Sequence, residues 1–159
     1  MAGRIYHVSW DAATSISAAI DIFEFAPADD KPIIIHELHI WQEGTSDVGD
    51  AQEEILGLSW RRKYTSSGSG GGTAVAIPIN PSDTAAGFSL ECRNTTVANT
   101  GSPDVVFMDG FNVRVPYIWT PGELFRPTCT QAQTQFVWRM TAPNDAITLN
   151  AMAVVEELG

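Results

Sequence analysis

The sequence predicts an all-β fold, an antiparallel β-sandwich or jelly roll built as one domain over residues 1–159. Three observations predict it. Apolar and polar residues alternate with a period of two along most of the chain, the spacing that sends successive side chains to opposite faces of a sheet. Clusters of Gly, Pro, Asn and Asp interrupt the alternation at intervals suited to short strands. No stretch keeps helical spacing beyond a single turn. At 159 residues the chain suits one domain and buries roughly 70% of its unfolded surface, so a core forms without disulfide staples. No internal repeat is visible, which argues against propellers and solenoids.

The elements follow in order. Residues 20–26 mix apolar and acidic side chains and stop at Pro27, and residues 28–32 form a turn. Residues 33–43 read as a long strand, with Ile34, His36, Leu38 and Ile40 on one face and Ile33, Ile35, Glu37, His39 and Trp41 on the other. Residues 44–50 read as a polar loop. Residues 53–63 read as the next strand, with Leu56, Leu58 and Trp60 inward. The Ser/Gly segment 65–72 has few side chains to pack, so it is expected to be a flexible loop at one end of the sandwich, able to order on docking. Residues 73–80 carry Pro78, which suits an edge or a strand end. Residues 81–87 are a turn or one helical turn. Segments 88–93, 105–115, 135–140 and 146–156 complete eight to ten strands, punctuated by Pro116, Pro121, Pro127 and Pro143. The last strand runs to the terminus, so no appended tail is expected there.

Composition narrows the function. There are 19 acidic and 9 basic residues, a formal charge of -10, which repels phosphate backbones and disfavours nucleic acid as a ligand. Arg61-Arg62-Lys63 is the one basic cluster and reads as a solvated strand end. No apolar run approaches the roughly 18 residues of a membrane helix. The N-terminus lacks the charged and apolar regions of a signal peptide, so the protein is expected to be made and kept in a cytosol, or assembled there. Cys92 and Cys129 read as semi-buried free thiols.

No constellation predicts catalysis, a metal or a cofactor. In His36-Glu37-Leu38-His39 the two histidines stand three apart, which in a strand points them to opposite faces. The spacing is also wrong for the His-x-His of a cupin metal site. The acidic stretch 47–54 lacks an EF-hand pattern. The glycine-rich segment lacks a phosphate-loop signature, and no nucleophile triad can be assembled. Asn94-Thr95-Thr96 fits a glycosylation acceptor, without a secretion signal to support its use.

The aromatics say more. Of five Trp, Trp60 and Trp138 lie on strongly apolar faces. Trp41 shares its face with Glu37 and His39, and Tyr117 and Trp119 sit between Pro116 and Pro121. Glu37, His39, Trp41, Tyr117 and Trp119 are the candidate interface residues. Aromatics so placed fit a buried interface, a sugar-stacking platform or ordinary core filling.

The run from Lys31 to Glu43, the stretch from Ser46 to Glu54, the Ser/Gly loop and Pro78-Ile-Asn-Pro-Ser-Asp83 together resemble small structural proteins of tailed bacteriophages. Asn94-Thr-Thr-Val97, Asp109-Gly-Phe-Asn-Val113, Trp119-Thr-Pro121 and Val154-Val-Glu-Glu-Leu158 extend the similarity over nearly the whole chain. Proteins of this kind are similar to capsid decoration, or cement, proteins. The resemblance implies a jelly-roll or TNF-like sandwich, a homotrimer as the self-partner and major capsid protein subunits as the docking partner. It implies a place on the virion capsid surface after assembly in the host cytoplasm, with no enzymatic activity, no direct nucleic-acid contact and no membrane. It carries over no functional residues. Two other readings stay open: a tail- or fibre-associated module binding a host glycan or receptor, and a cupin-like metalloenzyme.

Overall fold

A computed structural model describes residues 3–44 and 53–159. Within them the chain forms twelve strands: β1 (Arg4–Trp10), β2 (Thr14–Ile16), β3 (Ile20–Ala26), β4 (Ile33–Gln42), β5 (Ile55–Ser66), β6 (Gly72–Pro78), β7 (Ser89–Asn94), β8 (Asn99–Asn112), β9 (Tyr117–Trp119), β10 (Thr128–Cys129), β11 (Phe136–Met140) and β12 (Ile147–Glu157). Two short 3-10 turns, Glu123–Phe125 and Gln131–Gln133, are the only helical pieces among the described residues. The predicted all-β class is what forms.

Every strand pair is antiparallel. The first sheet runs β10-β4-β12-β1-β6, with β2 on β12 and β9 on β4; the second runs β7-β3-β11-β5-β8. The chain crosses between the sheets from β1 to β3, from β3 to β4, from β4 to β5 and from β11 to β12, so β1, β4 and β12 lie in one and β3, β5 and β11 in the other. That is the jelly-roll winding of a sandwich. Strand β6 belongs to both sheets: Gly72 and Thr73 pair with β7, and Ala74 to Pro78 pair with β1. It seals one side of the sandwich. The opposite side ends in β10 and β8.

Period two explains most of the core. In β12 the residues Ile147, Leu149, Ala151, Ala153 and Val155 are buried and their neighbours are not. In β1, Tyr6, Val8 and Trp10 point inward while Ile5, His7 and Ser9 point out. Strand β3 is buried at six consecutive positions, Ile20 to Phe25, because its outer face is covered as well. The centre is aromatic. The Trp60 and Trp138 rings lie 4.2 Å apart, Phe136 stacks on Trp60 at 4.8 Å, and Trp119 reaches across from the first sheet to Trp138 at 5.3 Å.

Strand β4 departs from the expected facing. Val154 of β12 is opposite Glu37 and Val155 is opposite Ile35, so His36 is an extra residue in a bulge. The bulge resets the alternation. Ile33 and Ile35 are buried before it, Leu38 and Ile40 after it, and the outer face collects Ile34, His36, Glu37, His39 and Trp41. The two histidines therefore share a face, contrary to the expectation from regular spacing.

Other boundaries moved. Strand β8 begins at Asn99 and ends at Asn112, earlier at both ends than expected. Strand β1 carries a clear alternation that the sequence reading passed over, and β2, β9 and β10 are too short to show any period. Most of the polar loop and of the acidic stretch lies outside the described residues.

Candidate functional site

The outer face of the first sheet departs from a soluble surface. Strand register lays its side chains out in rows. One row reads Ile118, His39, Met152, Ser9, Val75 across β9, β4, β12, β1 and β6. The next reads Glu37, Val154, His7, Ile77. A third places Ile34, Glu156 and Ile5 side by side, with the Ile79 amide donating to the Ile5 carbonyl at 2.9 Å. Ile77 is 55% exposed and Ile118 61%. An outward strand position is normally polar when it faces water. Here it is repeatedly apolar.

All three histidines of the chain lie on this face. Glu156 pairs with His36 at 2.7 Å and Glu37 with His39 at 3.2 Å. These are the only carboxylates in the rows, and no Lys or Arg joins them.

The predicted interface residues divide. Glu37, His39 and Trp41 sit together on this outer face, partly exposed, with Trp41 Nε1 donating to Glu43 at 3.3 Å. Tyr117 is half-buried, with its ring against Phe111 and Trp138 and its hydroxyl donating to Asp109 at 2.8 Å. Burial and the neighbouring Asp109 charge push that phenol well above its usual range. Trp119 corrects the expectation. It is buried, packed between Trp60, Trp138 and Phe107, and offers a partner almost nothing. Its proline-bracketed setting in the sequence marked a chain turning inward.

Sequence reasoning missed Ile5, Val75, Ile77, Ile79, Ile118 and Met152. A signal existed in β6. Its larger residues, Val75 and Ile77, alternate with Ala74 and Ala76, and the small ones turn out to face the core.

Two further apolar features stand apart. Strand β8 is an edge strand with Met108 71% exposed and Val105 and Val106 also exposed. The turn after β9 projects Leu124 and Phe125, which are 96% and 79% exposed.

The Ser/Gly segment is anchored, contrary to the flexible loop expected. Ser69 and Thr96 exchange both backbone hydrogen bonds, at 2.8 and 2.9 Å. The Gly68 amide donates to Glu24 at 2.9 Å, and Ser67 and Asn94 donate to the same carboxylate. A Cβ on Gly71 would overlap the Cys92 carbonyl oxygen, so this glycine permits close backbone approach. An open cleft of about 370 Å³ lies over this segment, lined by residues 68–73, Leu90, Glu91 and Asn94. Its lining is mainly loop backbone, and its one carboxylate, Glu91, already accepts a hydrogen bond from Asn94.

A second buried cluster braces the neck of the β5–β8 pair. Arg139 clasps Asp21 with bonds of 2.7 and 3.1 Å and donates to the Tyr64 hydroxyl and the Ala98 carbonyl. Burial disfavours the guanidinium charge, but the Asp21 carboxylate outweighs it and the Arg139 pKa is raised. Every strong donor in the cluster is used, so it is structural. The thiols are inert: burial pushes Cys92 up to about 11 and Cys129 up to about 12, and both are free. Among the described residues, no three His, Cys, Asp or Glu side chains converge as a metal site.

The molecule is therefore a jelly-roll sandwich whose distinctive chemistry lies on its outer surfaces. No protein-family model matches the chain, and no curated protein or solved structure matches it.

Proposed function

We propose that the chain is a virion structural protein, a capsid decoration (cement) protein that stabilises a phage head as a homotrimer seated on major capsid protein subunits. The observation that carries the reading is the contiguous apolar outer face of the first sheet on a sandwich sealed along one side by β6. Apolar surface of this extent is retained where other chains cover it. Jelly rolls serve as capsid, lectin and cupin domains alike, so the choice among them rests on the surfaces.

A glycan- or receptor-binding module at a tail would use an exposed aromatic platform. Trp10, Trp60, Trp119 and Trp138 are buried, and Trp41 is engaged with Glu43. A cupin-like enzyme would gather histidines inside the barrel, whereas all three lie outside. The surface aromatics Trp41 and Phe125 lie on different elements, and no contact among the described residues joins them into one platform. A net charge of -10 keeps free copies soluble and away from packaged nucleic acid.

The experiment compares phage shells assembled with and without the chain under a thermal ramp. Shells carrying it are expected to rupture at a higher temperature, with the chain recovered on the particles. Equal rupture temperatures with the chain bound, or no binding at all, would overturn the reading.

A further inference from the structure

We infer that the outer face of the first sheet is where one copy of this chain meets a second copy. The inference rests on the structural role proposed above and assigns the surface that role requires. Single exposed apolar residues are ordinary, but a contiguous patch is not. Val75, Ile77 and Ile79 stand on β6 and its extension, each more than half exposed, beside Ile5 on β1, and Ile118 closes the far side on β9.

Size supports this occupant. Five strands at about 4.8 Å spacing and about six residues at 3.3 Å each give a face of roughly 24 by 20 Å. That flat footprint, about 480 Å² before corrugation is counted, is more than half of the roughly 800 Å² that one partner contributes to a standard interface. It exceeds what an isolated surface residue or a small ligand would need.

Charge selects the occupant. Two copies of a chain with net charge -10 repel wherever their carboxylates meet. Among the described residues the carboxylates at this face are each held by a neighbour: Glu156 by His36, Glu37 by His39, and Glu43 by Trp41 and Asn150. Few of the chain's 19 acidic residues therefore oppose a like copy approaching this face. A basic partner of another kind would be drawn more strongly to the acidic remainder of the molecule. A second apolar surface is what fits, and another copy of the chain supplies one.

The test is molecular mass in solution by sedimentation, on the full chain and two variants. Ile77→Lys places a charge in the patch at an exposed position that the fold tolerates. Met108→Lys places the same charge on the β8 edge, outside it. The unmodified chain is expected at a multiple of 17.2 kDa, Ile77→Lys at 17.2 kDa with an unchanged circular dichroism spectrum, and Met108→Lys at the unmodified mass. Should Ile77→Lys prove unfolded, Ile118→Lys, also exposed and on a different strand, is read in its place. An unmodified chain that stays at 17.2 kDa up to its solubility limit overturns the proposal, as does a folded patch variant that retains the oligomer. The role in shells fails separately: an oligomer broken by Ile77→Lys that gives no protection to shells keeps this surface and removes that role.

Discussion

Glu24 shows how one residue couples a loop to solvent conditions. It is 2% exposed on β3, and Ser67, the Gly68 amide and Asn94 all donate to it. Burial raises its pKa above the ordinary 4.5, and the three donors only partly offset that. Between the ordinary and the raised value, the folded chain holds a proton that the unfolded chain has released. The stabilisation is therefore complete below the ordinary value and is lost as pH rises through the raised one. Glu24→Gln keeps the shape and the hydrogen bonds, because the amide oxygen can accept from Gly68 and Asn94 while its nitrogen donates to the Ser67 hydroxyl. The urea midpoint of the unmodified chain should fall relative to that of Glu24→Gln as pH is raised from about 4 to about 8. Two parallel profiles would show that Glu24 does not titrate in this range.

At the scale of the element, the glycine segment between β5 and β6 is ordered by exclusion of volume. Gly71 lies against the Cys92 carbonyl with no room for a methyl group, and Gly70 adopts a φ of 75°. Gly122, at the start of the turn carrying Leu124 and Phe125, has nothing within 4 Å of its would-be Cβ. Gly71→Ala is expected to destabilise the fold by about 1–3 kcal/mol, the usual cost of forced overpacking. Gly122→Ala should be neutral to within about 0.5 kcal/mol. Chemical denaturation of the two variants side by side checks this, and equal midpoints would mean that the segment yields freely.

At the scale of the whole molecule, the two sheets meet through aromatic rings, and Trp119 with Tyr117 brings rings from the first sheet to that contact. The Trp119 ring touches Trp60 and Trp138 of the second sheet and Phe107 of β8. Trp119→Ala should destabilise the isolated chain by about 3–5 kcal/mol, as for other buried aromatics. Measured in the Ile77→Lys background, where copies are separated, this loss belongs to the core. A residue serving an interface alone would leave that monomer's stability unchanged.

The sequence by itself determined the all-β class, the strands β3, β4, β5, β6, β7, β11 and β12 to within a few residues, and the placement of Trp60 and Trp138 in the core. Those follow from local alternation, which is written into neighbouring residues. Of the candidate interface, Glu37, His39 and Trp41 were legible as one face. Tertiary structure decided the rest. A period of two says that a strand has two faces, but not which of them packs. In β6 the bulky aromatics of other strands already fill the core, so Ala74 and Ala76 fit inward, and Val75 and Ile77 are turned outside. The bulge at His36 is likewise set by pairing with β12, more than a hundred residues away, and it is this pairing that brings the three histidines onto the same surface.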